Sequence, residues 1–187
     1  MLGMVQGIRR TGLFNVGGCD MRLLVAMIVL LASHTVLAQP ALYEDMVLTI
    51  PQGAVIDDGE VAYFESIQLQ AVDGGGFVLV AAEERSLVSV DSLDILVMES
   101  FPLQISVAVS GHKSVPCVQL LTPAVSFKDN RFLVTLAESQ LGPAESCIAV
   151  IDPFETAVAL DVIGLKAGTY GVTVNGVETE FTLQSDN

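Results

Sequence analysis

The stretch Tyr170-Gly171-Val172-Thr173-Val174-Asn175-Gly176-Val177-Glu178-Thr179-Glu180-Phe181-Thr182-Leu183 decides the class of fold. Tyr170, Val172 and Val174 alternate with Gly171 and Thr173, and after Asn175-Gly176 the apolar series resumes at Val177, Phe181 and Leu183. A period of two marks a strand with one buried face, and Asn-Gly tolerates the positive φ of a type I′ turn. Across a two-residue turn Val174 and Val177 are partners, so both apolar sets fall on one face. Pattern and register agree on a β-hairpin.

Working outward, the same period persists. Val125-Ser126-Phe127 turns near Lys128-Asp129-Asn130 and returns through Arg131–Leu136. Leu93–Val97 and Gln104–Val109 read as strands divided by a bend at Ser100-Phe101-Pro102, and Cys147–Val150 and Ala157–Val162 as strands flanking a turn at Asp152-Pro153. Seven or eight short strands between about 90 and 184, with turn signals every 8–12 residues, predict a β-sandwich. No helical stripe is present downstream of residue 38. Residues 39–85 read as a small antiparallel β-meander: Val47–Ile50 ending at Pro51, a longer strand Val61–Val72, and Phe77–Val80 after Gly74-Gly75-Gly76. Glu83-Glu84-Arg85-Ser86 is the expected link to the sandwich at 86–187. The expected class is all-β, an immunoglobulin-like antiparallel sandwich preceded by that meander.

The N-terminal part is of another kind. Met21-Arg22, the apolar run Leu23–Ala32 and the small residues Val36 and Ala38 have the order of a signal peptide, with cleavage expected before Gln39. The run is short of the 18 or so residues needed to cross a bilayer. Residues 1–20 read as an upstream extension, with Met21 the initiator. The whole chain has 187 residues, 51% apolar, with a net charge of −14. Without residues 1–38 five basic residues face 21 acidic ones, a net charge of −16. This excess excludes nucleic acid, whose affinity rests on Lys and Arg at phosphates, and docking on an anionic membrane surface. The expected location is the periplasm or the exterior. The acidity reads as a solubility device.

Two cysteines then remain, Cys117 and Cys147. In an oxidising compartment the expected state is a disulfide, closing a loop of about 31 residues and contributing at most about 3.5 kcal/mol. A metal pair would want more Cys or His than the chain supplies. His112, the one histidine downstream of residue 38, sits in Ser110-Gly111-His112-Lys113-Ser114, a turn-like stretch without a nucleophile elbow. Asp57, Asp58 and Glu60 offer carboxylates beside Gly59, weak calcium candidates without EF-hand spacing and better read as a solvated turn. Gly74-Gly75-Gly76 lacks the helix and Lys of a phosphate cradle, and no motif implies a cofactor.

The tail Val162-Ile163-Gly164-Leu165-Lys166-Ala167-Gly168-Thr169-Tyr170, with Val172, Val174-Asn175-Gly176 and Phe181, resembles the closing strands of an uncharacterised immunoglobulin-like module of bacterial envelope proteins. Glu99-Ser100-Phe101-Pro102, the two cysteines and Pro153-Phe154-Glu155 extend the likeness over residues 90–184. Leu48-Thr49-Ile50-Pro51 with Tyr63 and Leu69 is similar to a short β segment of secreted proteobacterial proteins. Neither resemblance implies an active site. The expected function is a non-catalytic binding or assembly module acting through loops or sheet edges, its partner another envelope protein. The alternatives are a protease-inhibitor-like module using loop 110–116 or 138–146, and a small hydrolase with His112 as base.

Overall fold

A computed structural model describes residues 40–187 except 58 and 59; the expected extension at 1–20 and signal peptide at 21–38 lie outside the described residues. Eleven strands are present and no helix among the described residues. The first four, β1 (Leu42–Glu44), β2 (Val47–Asp57), β3 (Glu60–Ala71) and β4 (Phe77–Arg85), form one antiparallel sheet in chain order. The meander thus gains β1, which no Asn-Gly or glycine turn announces. Asp45 and Met46 both take positive φ between Glu44 and Val47. Glu83-Glu84-Arg85, expected as a link, is instead the end of β4, where Arg85 pairs with Tyr63 and Glu83 with Glu65.

The sandwich follows as β5 (Ser89–Met98), β6 (Gln104–Lys113), β7 (Ala124–Lys128), β8 (Arg131–Thr135), β9 (Asp152–Leu160), β10 (Gly168–Val174) and β11 (Val177–Leu183). One layer has the order β11-β10-β8-β7 and the other β5-β6-β9. Alternation places Ile105, Val107 and Val109 of β6, with Val158 and Leu160 of β9, against Phe132 and Val134 of β8 and Tyr170, Val172 and Val174 of β10. Phe181 and Leu183 of β11 complete this core. The rings of Tyr170 and Phe181 stack at 5.5 Å.

The expected hairpin is in place: Asn175 and Gly176 have φ of 45° and 90°, and Val174 pairs with Val177. The β7–β8 turn is its counterpart at Asp129 and Asn130, both at positive φ. Among the described residues all ladders are antiparallel but one, β8 against β10. The chain leaves β8, crosses to the other layer for β9, and returns to begin β10 at the end where β8 began. A connection of that length is what a parallel pair requires.

Two further expectations are corrected. Cys147–Val150 is not a strand: Ile148, Val150 and Ile151 are exposed, and the Val150 amide donates to the Ile148 carbonyl in a tight turn. Asp152-Pro153, expected as a turn, opens β9 instead, opposite Lys113 and His112. A proline is tolerated near the start of an edge strand, where no ladder hydrogen bond from its nitrogen is needed.

Candidate functional site

The sequence-predicted residues fall at separate places. His112 belongs to β6, not to a turn, between Ser89 of β5 and Pro153 of β9. Gly111 misleads here because its role is close approach: a Cβ would stand 2.1 Å from the Ser89 carbonyl oxygen and 3.1 Å from the Phe154 ring. His112 Nδ1 lies 3.3 Å from Asp91 Oδ2, at the register shift of β5. Its ring therefore meets a carboxylate rather than a hydroxyl. Of the calcium candidates, Asp57 pairs through its backbone with Glu60, while Asp58 lies outside the described residues.

Cys117 and Cys147 are joined, with Cα atoms 6.0 Å apart. The bridge ties the segment after β6 to the segment before β9, neither of which has strand partners of its own beyond single bridges. Around it, buried Glu138 accepts hydrogen bonds from the Ser114 amide (2.9 Å) and the Ser114 hydroxyl. Ser139 and Gln119 exchange bonds at 2.9 and 3.0 Å. Lys113 Nζ donates to the Val118 carbonyl and to Asp152. Of the two loops expected to act on a protease, Ser110–Lys113 is strand, but Ser114–Pro116 and 138–146 lie side by side. They flank a hollow of about 390 Å³ lined by Val115, Val118, Glu138 and Leu141. The Glu138 carboxylate is committed to holding a turn.

A larger cleft, about 840 Å³, separates β2 from β7. Gln52, Gly53, Ala54 and Ile56 line one wall, and Ala124, Ser126 and Lys128 the other. Val125, Phe127 and Leu133 also line it, so the cleft is walled by apolar as well as polar side chains. Beside it the meander is anchored: Tyr63 is fully buried and its hydroxyl donates to the Thr122 carbonyl at 2.8 Å. Burial pushes the phenol up to about 12, with Glu65 adding to the shift and Arg85 opposing it. Arg85 bonds Glu65 at 2.7 Å and also Glu83, and the bond to Glu65 holds its guanidinium above the ordinary value.

Away from that anchor β1 and the apolar half of β4 are exposed. Tyr43, Leu48, Leu69 and Leu79 are successive partners across the four strands and so share one face. Tyr43, Phe77, Val78, Leu79 and Val80 are each more than half exposed. Exposed apolar side chains clustered in this way are uncommon on a monomer outside a binding site. Sequence reasoning expects action through a sheet edge but does not say which one, because alternation predicts a buried face without saying what buries it.

Two packed layers around a shared apolar core define residues 89–183 as a β-sandwich module. Residues 107–183, from the middle of β6 to the end of β11, match the model of a family described as an ORF11 beta-sandwich domain. The match covers less than half of the chain and leaves the meander outside it. No curated protein matches the chain, and no solved structure does.

Proposed function

We propose that this chain is a non-catalytic, exported module of the bacterial envelope, periplasmic or secreted after cleavage near Ala38, that binds or assembles with another envelope protein through its sheet edges. The observation that carries this reading is the exposed apolar meander, projecting from a sandwich whose own core is closed. The Cys117–Cys147 bridge supports an oxidising compartment. Tyr170, at the start of β10, donates from its hydroxyl to the Lys166 carbonyl at 2.8 Å, as in the tyrosine corner of immunoglobulin-like sandwiches. That contact supports the immunoglobulin-like kinship, although the parallel β8–β10 pair departs from it.

Chemical cross-linking of the purified chain in native envelope extract, at a salt level that screens its charge, tests the proposal. Cross-links to an envelope protein are expected to map to residues 40–85. Cross-links confined to 114–122 and 138–151, together with stoichiometric inhibition of a periplasmic protease, would instead establish the inhibitor reading. The bridged loop pair, which presents Ile148 and Ile151 exposed, favours that second reading.

A further inference from the structure

We infer that the cleft between β2 and β7 takes an extended segment of the partner protein, added as an antiparallel strand along the free edge of β7, with a carboxylate set against Lys128. This inference rests on the reading that the protein works through its sheet edges, and it names the edge and the chemistry of what pairs with it.

Backbone direction comes first. The Asn130 and Val134 carbonyls accept from the Gly171 and Asn175 amides, on the β10 side of β8. Alternation therefore turns Arg131, Leu133 and Thr135 toward β7, where their partners are Lys128, Ser126 and Ala124. The amides and carbonyls of Val125 and Phe127 point the other way, and β7 is the outer strand of its sheet. Among the described residues no backbone group pairs with them. Pro123, just before the strand, is on the same outward side and has no amide to leave unpaired. All five residues of β7 line the cleft. Both faces of the strand thus reach it, which places the cleft beside the edge rather than over one face. Its volume is about 840 Å³, and its far wall is a second stretch of extended chain, residues 52–54 of β2. A row of strand amides and carbonyls facing such a space is matched by another extended backbone.

Side chains then set the composition of the occupant. Val125 and Phe127 pair with Val134 and Phe132 on the core face, yet they are 43% and 44% exposed. Apolar residues opposite them on an added strand cover them. Lys128 lies on the other face, directly across from Arg131, a like-charged pair that costs stability by itself. Of the five basic residues after residue 38, Arg85, Lys113, Arg131 and Lys166 each have a carboxylate partner. Among the described side chains Lys128 has none. The position opposite Lys128 therefore calls for Asp or Glu. An antiparallel occupant reads, in its own direction, acid, apolar, any residue, apolar. Paired with itself about Ser126, β7 would set Ala124 against Lys128, so a second copy lacks the carboxylate.

Titration of the purified chain with the peptide acetyl-Glu-Val-Thr-Val-Thr-amide, followed by amide hydrogen exchange, should protect Val125 and Phe127, while Ser126, already bonded to β8, changes little. The same peptide with Gln in place of Glu should bind about threefold more weakly, and Lys128→Gln should erase that difference. The acidity of the whole chain works against an acidic peptide, so a preference for Glu reports the local contact. Val125→Pro removes an outward amide that β8 does not use, and should abolish binding with an unchanged far-ultraviolet spectrum. A peptide that protects no amide of β7 overturns the inference, as does one that protects β4 instead, or an equal preference for Glu and Gln in the native chain. If envelope cross-links map to residues 40–85 but spare both 52–56 and β7, the inference fails and the proposed function stands; if no envelope protein is cross-linked and no peptide binds, both fail.

Discussion

Asn175 does more than turn the chain. Its amide nitrogen donates to the Val88 carbonyl at 2.9 Å and the Leu136 carbonyl at 2.7 Å, and its Oδ1 accepts from the Leu136 amide at 2.9 Å. One side chain thus joins the hairpin to the end of β8 and the entry to β5. Asn175→Gly keeps the permissive φ but removes three hydrogen bonds, leaving the Leu136 carbonyl only the Val88 amide at 3.2 Å, and is expected to cost about 2–4 kcal/mol in urea unfolding with an unchanged m-value. Gly176→Ala, which strains φ without breaking these bonds, should cost about 1–2 kcal/mol. The turn was legible from the dipeptide alone. The bonds were not, because Val88 and Leu136 are remote in sequence and nothing local in Asn-Gly distinguishes a bridging asparagine from a plain turn residue. Gly111-His112 was misread for a related reason. Glycine beside polar residues has the composition of a turn, while the close approach of Ser89 that requires it is visible only once the strands pair.

At the level of elements, the meander hangs on Tyr63. Its raised phenol pKa favours the protonated form in the fold, so its contribution to stability is complete below pH 10.0 and is lost as pH rises toward about 12. Unfolding free energy measured across that window should fall in the wild type and fall less in Tyr63→Phe. At neutral pH Tyr63→Phe should itself cost about 1–2 kcal/mol by leaving the Thr122 carbonyl without its donor. The strands of the meander were legible from alternation, except β1, whose Asp45-Met46 turn carries no glycine or asparagine. Cys147–Val150 shows the opposite error. Its β-branched composition favours a strand, but a strand needs an open edge, and β6 offers one to this segment only from Lys113 onward.

For the whole molecule, the disulfide is the covalent tie between two segments that no sheet holds. Cys117 is exposed and neither sulfur belongs to the apolar core. The double variant Cys117→Ser, Cys147→Ser is therefore expected to keep its β spectrum and lose up to about 3.5 kcal/mol in denaturant unfolding. The layered architecture was legible because alternation persists over most strands. The partner of each strand was not, since side-chain period alone does not fix sheet order. The exposed apolar face was legible only as an apolar excess and an expected sheet edge without a location, becoming a place on the molecule once β4 proved to be an edge.

The parallel pairing of β8 with β10 also sets an order of assembly. Hairpins β7–β8 and β10–β11 close over two-residue turns and can form within microseconds. The ladder that unites them joins Phe132 to Val172, about 40 residues on, and waits until β9 has crossed the molecule. Loop-closure entropy is spent before those contacts return anything. During that interval two half-sheets show their inner faces to solvent, so the newly made chain is most open to chaperones, and to mispairing, before this one ladder closes.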